Sequence, residues 1–192
     1  SSYDVNYQDF LLNINDNEFS VFQKFELNID KNYKINFFTN TRNFISDYYV
    51  YHGSGFNASN YFTPQVSFND SVTSYKLAAG INISASYFKK RLFINAGFRA
   101  DHFSVLGQSP VFSPRFGVTY KISPLTSLNA SAGINFQSPE MLWVLVDADN
   151  RNLKYIRMDQ FVLSAEHFLS YDIKLTIEPY LKQYYNYPVS VY

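Results

Sequence analysis

The 192-residue chain carries 16 basic and 16 acidic residues, is 46% hydrophobic and 19% aromatic, and has no cysteine. Electroneutrality argues against the basic face of a nucleic-acid binder, and the lack of Cys removes disulfides, thiol nucleophiles and cysteine metal sites together. No run approaches the roughly 18 apolar residues of a membrane helix, and a mean hydropathy of -0.21 does not separate a soluble protein from a barrel whose strands alternate with polar residues.

In chain order, residues 3–14 leave room for an extra strand, and the first clear periodic segment follows. Phe19, Val21, Phe25, Leu27 and Ile29 share one parity, interrupted only by Gln23, against Ser20, Lys24, Glu26 and Asn28, with Phe22 the exception on that side. Asp30-Lys31-Asn32 reads as a compact polar turn, after which Tyr33, Ile35 and Phe37 resume the apolar face. A long connection is predicted from Ile45 to Val72, with Gly53, Gly55 and Pro64 as breakers and with Tyr48, Tyr49 and Tyr51 among its aromatics.

Tyr75, Leu77, Ala79, Ile81, Ile83, Ala85 and Tyr87 form the clearest stripe, and Lys89-Lys90-Arg91 makes the next short turn. Leu92, Ile94, Ala96, Phe98 and Ala100 return, and a moderate loop covers Leu106 to Val111. Phe116, Val118, Tyr120 and Ile122 are joined through Ser123–Thr126 to Leu128, Ala130, Ala132, Ile134 and Phe136. A second long loop, about Gln137 to Asp159, carries Trp143. Phe161, Leu163 and Ala165 then pair with Ile173, Leu175 and Ile177 around a turn at Ser170-Tyr171-Asp172.

This is an all-β pattern of about eight strands, with residues 3–14 as a possible ninth. One face of each strand is apolar and the other is small or polar, as when one side meets lipid and the other a wet lumen. The segments approach the roughly 9–11 residues of a tilted membrane strand, longer than the usual 5–6. Short turns alternate with long loops, and the main stripe begins and ends on tyrosine, as at two membrane interfaces. The expected fold is therefore an antiparallel transmembrane β-barrel. A soluble β-sandwich is the other architecture that alternation permits. The chain opens without an initiator Met or a signal peptide and ends soon after Pro188, so both ends read as internal to a longer protein.

Residues for chemistry are sparse. His52, His102 and His167 lie in separate segments without a second ligand at metal spacing. Gly53-Ser54-Gly55 lacks the Lys of a phosphate loop, and no G-x-S-x-G elbow occurs. Asp147 and Asp149 lack EF-hand spacing and read as solvated loop acids. No catalytic residue, metal site or cofactor is expected, and the chain is not expected to be an enzyme. Two groups remain. Lys76, Arg99, Asp101, Arg115, Lys121, Glu166, Lys174, Glu178 and Lys182 fall on the polar parity, where they would line a lumen or hydrogen-bond a plug. Tyr48, Tyr49, Tyr51 and Trp143, placed in loops, offer amphipathic rings for stacking on a ligand.

Several segments in order resemble the barrel of TonB-dependent outer-membrane receptors. Gly97-Phe98-Arg99-Ala100-Asp101 is similar to that family's G-aromatic-R-x-D strand end, and Ser113-Pro114-Arg115-Phe116-Gly117-Val118-Thr119-Tyr120 to its SPRxGxxY strand start. Gly133-Ile134-Asn135-Phe136-Gln137-Ser138-Pro139 resembles GxxFxxP at the mouth of an extracellular loop. Asn150-Arg151-Asn152-Leu153-Lys154, with Gln160-Phe161-Val162-Leu163 after it, and Ile177-Glu178-Pro179-Tyr180-Leu181-Lys182-Gln183-Tyr184 complete the series. Arg151, Tyr155 and Ile156 depart from the family pattern, and the Leu153-Lys154-Tyr155-Ile156 form resembles the Bacteroidetes branch.

The resemblance implies a sector of a barrel of about 22 strands with a plugged lumen, in the outer membrane of a Gram-negative bacterium. It also implies energised uptake of a scarce nutrient, a small molecule or an oligomer, captured from outside. The plug, and contact with the TonB complex through it, would lie outside these residues. The competing expectation is a complete small eight-stranded outer-membrane barrel with an adhesin or structural role.

Overall fold

The computed structural model describes residues 2–7, 10–53, 55–56, 62–63, 65–107 and 110–189. In chain order the elements are β1 (Ser2–Tyr7), β2 (Phe10–Asn28), β3 (Tyr33–His52), a small ribbon of β4 (Gly55–Phe56) and β5 (Phe62–Thr63), then β6 (Val66–Tyr87), β7 (Leu92–Phe103), β8 (Val111–Lys121) and β9 (Thr126–Gln137). Helix α1 (Met141–Val146) and a 3-10 turn (Ala148–Asn152) follow, and β10 (Ile156–Phe168), β11 (Lys174–Ile177) and β12 (Tyr180–Tyr185) end the chain.

Apart from the β4–β5 ribbon, the strands form one antiparallel sheet in the order β1-β2-β3-β6-β7-β8-β9-β10-β11, with β12 also on β10. β11 and β12 continue a single register, Ala165 opposite Ile177 and Val162 opposite Tyr180, so they are one strand broken at Pro179. The break follows from chemistry. Proline has no N–H for the ladder and is tolerated on an edge strand, while its carbonyl still accepts from the Leu163 amide at 3.1 Å. The end strands β1 and β11–β12 are not paired with each other, so the sheet is open.

Sequence dictates the tight ends. The Asp30 carboxylate accepts from the amides of Asn32 and Tyr33 at 2.6 and 2.9 Å, which sets the β2–β3 turn. The β6–β7 turn puts Phe88, Lys89 and Lys90 in the left-handed region with φ of 52°, 55° and 64°. Arg91 then reaches the neighbouring turn, donating from Nε to the Lys121 carbonyl at 3.1 Å and from Nη2 to the Ile122 carbonyl at 2.6 Å. The predicted turns at Ser123–Thr126 and Ser170–Asp172 also lie between paired strands.

Cross-strand register places the sequence stripes side by side. Leu27 faces Ile35, Ile35 faces Ile83, Ile83 faces Ala96, and Ala96 faces Phe116. Ala132 and Phe161 continue the row. The resulting band is uncovered: Phe25 is 65% exposed, Phe116 52% and Leu163 45%. A soluble sandwich would lay a second sheet over such a face, and an uncovered apolar patch of this extent is foreign to soluble monomers. Tyr33 and Tyr87 close the band at the short-turn end, edge to face with ring centroids 5.9 Å apart.

The long strands overturn one expectation. Ile45 to Val72 is not a loop: β3 runs to His52 and β6 begins at Val66, fully paired with each other. The pattern hid this because the apolar parity changes face. Near the turns the odd residues of β2, β3 and β6 are the apolar ones, whereas farther up Ile14, Phe44, Tyr48 and Phe68 project from the opposite face. The odd residues there include Asn13, Asn15, Asn17, Asp47, Asn69 and Ser71. β10 likewise starts at Ile156, inside the segment assigned to the second loop, and β1 supplies the ninth strand.

The buried core sits at this upper end. Phe103, Leu106, Val144 and Tyr155 are 3% exposed or less and are packed by Val105, Val111, Phe136 and Met141. Thus the segment between β9 and β10 folds across the face on which Phe44 and Tyr48 stand. Gly107 donates to the Arg151 carbonyl at 3.1 Å and ties the β7–β8 loop to it. No helix among the described residues is long and apolar enough to cross a membrane.

Candidate solute-facing wall and mouth

The face opposite the apolar band carries the charged parity. Arg99 makes a forked pair with Asp101, Nη2 to Oδ1 at 2.6 Å and Nε to Oδ2 at 2.8 Å. Their (i, i+2) spacing puts both on one side of β7. Glu26 holds Lys34 at 2.6 Å and Lys24 at 3.6 Å, Glu166 holds Lys174 at 3.1 Å, and Glu18 lies 3.8 Å from Arg42. The Glu26, Glu166 and Glu18 pairs are solvated and therefore weak, whereas the Arg99–Asp101 fork is part-buried. Lys121 and Lys182 instead lie over rings, 5.0 Å from the centroids of Phe93 and Tyr180.

Glycine lets this wall lie flat. A Cβ on Gly80 would meet the Phe38 ring at 2.5 Å and the Phe98 carbonyl at 2.8 Å, so the residue is fixed by close approach of neighbours. Arg115 stands opposite Gly97 and Gly133, and its Cγ would lie 3.2 Å from a Cβ on Gly133. Among the described residues no carboxylate pairs with it. A shallow cavity here is lined by Asn36, Asn82, Ser84, Asn95 and Arg115.

The mouth is built differently. A cavity of about 350 Å³ is bounded by Asp16, Phe44, Tyr48, Lys76, Glu140 and Trp143. Tyr48 is buried to 5% exposure, and its hydroxyl donates to Asp16 Oδ1 at 3.4 Å. Trp143 is presented by α1 and held by Asn150, whose Nδ2 donates to the Trp143 carbonyl at 2.7 Å. A second cavity of about 200 Å³ lies toward the wall, among Arg42, Lys76, Arg99, Asp101, Phe103 and Tyr155. Burial pushes the Tyr155 phenol above its ordinary range.

Of the four aromatics singled out in the sequence, the structure brings together Tyr48 and Trp143. Tyr48, Tyr49 and Tyr51 are all on β3, not in a loop, and strand alternation points Tyr49 and Tyr51 to the face opposite Tyr48. Arg99, Asp101, Arg115, Glu166 and Lys182 all fall on the polar face by register. Arg42 and Tyr155 were missed. Arg42 shares the parity of Lys34 and Asn36, which would have disclosed it had the strand been extended. Tyr155 shows no strand signal, because it is placed by packing against Phe103. His167 faces Thr126, its Nδ1 2.9 Å from the threonine Oγ1. Asp147 accepts from the Asp149 amide at 2.8 Å, a capping role. Among the described residues no three His, Asp or Glu gather as a metal site.

Solved structures that share this fold include two transporters and a receptor. The copper transporter OprC aligns with a TM-score of 0.67 at 11% identity, over 90% of this chain and 30% of its own. The outer membrane transporter YddB from Escherichia coli gives 0.55 at 13% identity, over 84% and 24%. A mutant of the ferric enterobactin receptor PfeA from Pseudomonas aeruginosa gives 0.54 at 10%, over 95% and 33%. The chain thus spans about a third or less of the length of these transporters. Among curated proteins none matches it. The model of the TonB-dependent receptor-like β-barrel matches residues 1–192, and the chain belongs to that family.

Proposed function

We propose that this chain is a sector of the barrel wall of a TonB-dependent outer-membrane transporter that imports a scarce nutrient with energy supplied through TonB. The observation that carries this reading is the change of apolar face along β2, β3 and β6. A strand with lipid outside and a wet lumen inside should be apolar outward. The same strand above the bilayer should be polar outward and apolar where loops fold onto it. Membership of the receptor family and the fold shared with outer-membrane transporters support the same reading.

In this reading the apolar band meets outer-membrane lipid, the Arg99–Asp101 and Arg115 wall faces the lumen and a plug domain, and the Tyr48–Trp143 mouth meets the incoming solute. The plug, encoded outside these residues, contacts the TonB complex. The Leu153–Ile156 segment supports a Bacteroidetes-type receptor. The open sheet favours a sector of a large barrel over a closed eight-stranded barrel with an adhesin role.

The test is genetic. Deleting the parent gene and disabling the TonB system should abolish growth on the same limiting nutrient, while other nutrients separate the two strains. A deletion strain with no TonB-dependent uptake defect across iron chelates, vitamins, glycans and peptides would remove the transport reading.

A further inference from the structure

Lys76 is placed where a cation is hard to keep. It stands directly opposite Arg42 on the neighbouring strand, and like charges so placed destabilise a sheet. Arg42 has Glu18 within 3.8 Å and Arg99 has the forked Asp101. Among the described residues no carboxylate comes within ion-pair distance of the Lys76 ammonium. Its closest contacts of opposite electrostatic character are ring faces, Phe103 at 4.3 Å and Phe44 at 5.5 Å, with Glu140 and Glu18 acting on it from beyond ion-pair distance. These partly compensate the half-buried ammonium, with no carboxylate within ion-pair distance to complete the compensation.

An unsatisfied group shares the cavity with Lys76. The Tyr155 hydroxyl is buried, lines the same space as Lys76 and Arg42, and makes no hydrogen bond of good geometry. A buried donor without a partner is costly, so the Tyr155 hydroxyl beside the half-buried Lys76 ammonium marks a place suited to an acceptor. The chemistry wanted is a compact oxyanion, one oxygen for the ammonium and one for the phenol. Phe103 and Phe136 add apolar wall for the body that carries it.

We infer that Lys76, Tyr155 and Arg42 form an anion-anchoring subsite at the mouth, which takes the carboxylate of an organic anion with an apolar body. The subsite rests on the transport reading and narrows it to solutes bearing such a group. Two sources can supply the carboxylate: the free solute, or an Asp or Glu of the receptor outside these residues. The solute is the primary occupant, because a second cavity of about 350 Å³, lined also by Asp16 and Glu140, shares Lys76 and adds room beside it.

The experiment uses the full-length receptor in detergent with 4-bromobenzoate as probe and 4-bromobenzyl alcohol as its neutral match. Benzoate should raise the melting temperature in a saturable way and the alcohol should not. Lys76→Gln should weaken the benzoate effect about tenfold or more, as expected for loss of a charge-assisted bond. Tyr155→Phe should weaken it less, and Lys76→Arg should retain it. If benzoate has no effect but Lys76→Gln itself lowers the melting temperature and Lys76→Arg does not, the carboxylate comes from the receptor. If benzoate has no effect and Lys76→Gln is neutral or stabilising, as relief of the Arg42 repulsion alone would make it, the subsite is overturned. Heat-modifiable migration of each variant, reporting the membrane barrel, separates that failure from failure of the transport reading.

Discussion

Phe37 and Phe44 stand on the same strand and project from opposite faces. Phe37 faces Phe25 and Ile81 within the apolar band, whereas Phe44 faces Glu18 and Ser74 on the other side. Between them, in the proposed reading, the apolar face of the sheet passes from the lipid side to the side covered by the β9–β10 segment.

Charge tolerance should follow parity across the middle of the band. Ile81→Lys should destabilise the barrel by about 2–4 kcal/mol, the cost of lysine on the lipid face at the bilayer midplane. Asn82→Lys, one residue on and facing the lumen, should change stability far less. Urea unfolding in lipid vesicles measures both.

The glycines of the wall should divide by the space around them. Gly80→Ala drives a methyl into the Phe38 ring and the Phe98 carbonyl, and the carbonyl is backbone that cannot step aside. Overpacking of this kind costs about 1–3 kcal/mol. Gly117→Ala meets only Ser131 at 3.8 Å and Ala130 O at 3.9 Å, ordinary contact, and should be nearly neutral. The two variants compared in one unfolding series decide the point.

The β6–β7 turn stores strain. Lys89, with φ of 55°, occupies a conformation that costs a non-glycine residue about 1–2 kcal/mol and glycine almost none. Lys89→Gly should therefore stabilise the barrel slightly. Arg91→Ala should destabilise it by about 1 kcal/mol through loss of its bonds to the Lys121 and Ile122 carbonyls. A result with both signs reversed in denaturant melts would contradict the turn geometry.

The cap over the mouth should release without loss of the sheet. Val144 is fully buried in the small core with Phe103, Leu106 and Tyr155. Val144→Asp places an unpaired charge there and should expose residues 138–155 to protease, with heat-modifiable migration unchanged. Loss of migration would mean that the cap and the wall are one cooperative unit.

The sequence disclosed the strands wherever one environment acted along their whole length. From Tyr75 to Tyr87 every odd residue met the same apolar phase, so spacing alone located the strand and its face. The upper halves of β3 and β6 were concealed because alternation there answers to a folded segment distant in the chain. Tyr48 is apolar-facing only because residues 138–155 lie over it. The paired wall charges were legible from parity at Arg99 and Asp101. The convergence of Lys76 with Tyr155 was not, since it depends on how the β9–β10 segment packs.

The account is tested most directly by single-cysteine labelling along β6, for which the cysteine-free chain provides a clean background. In intact outer membranes, cysteines at 77, 79, 81, 83 and 85 should react with a lipid-phase reagent and resist a water-soluble maleimide, with 78, 80, 82 and 84 reversed. Above Tyr75 the phase should shift: 69, 71 and 73 should label from water, and 72 and 74 should be protected beneath the cap. Water-phase labelling of position 81 as fast as position 82, or no change of phase above 75, would contradict the assignment of this sheet to a membrane wall.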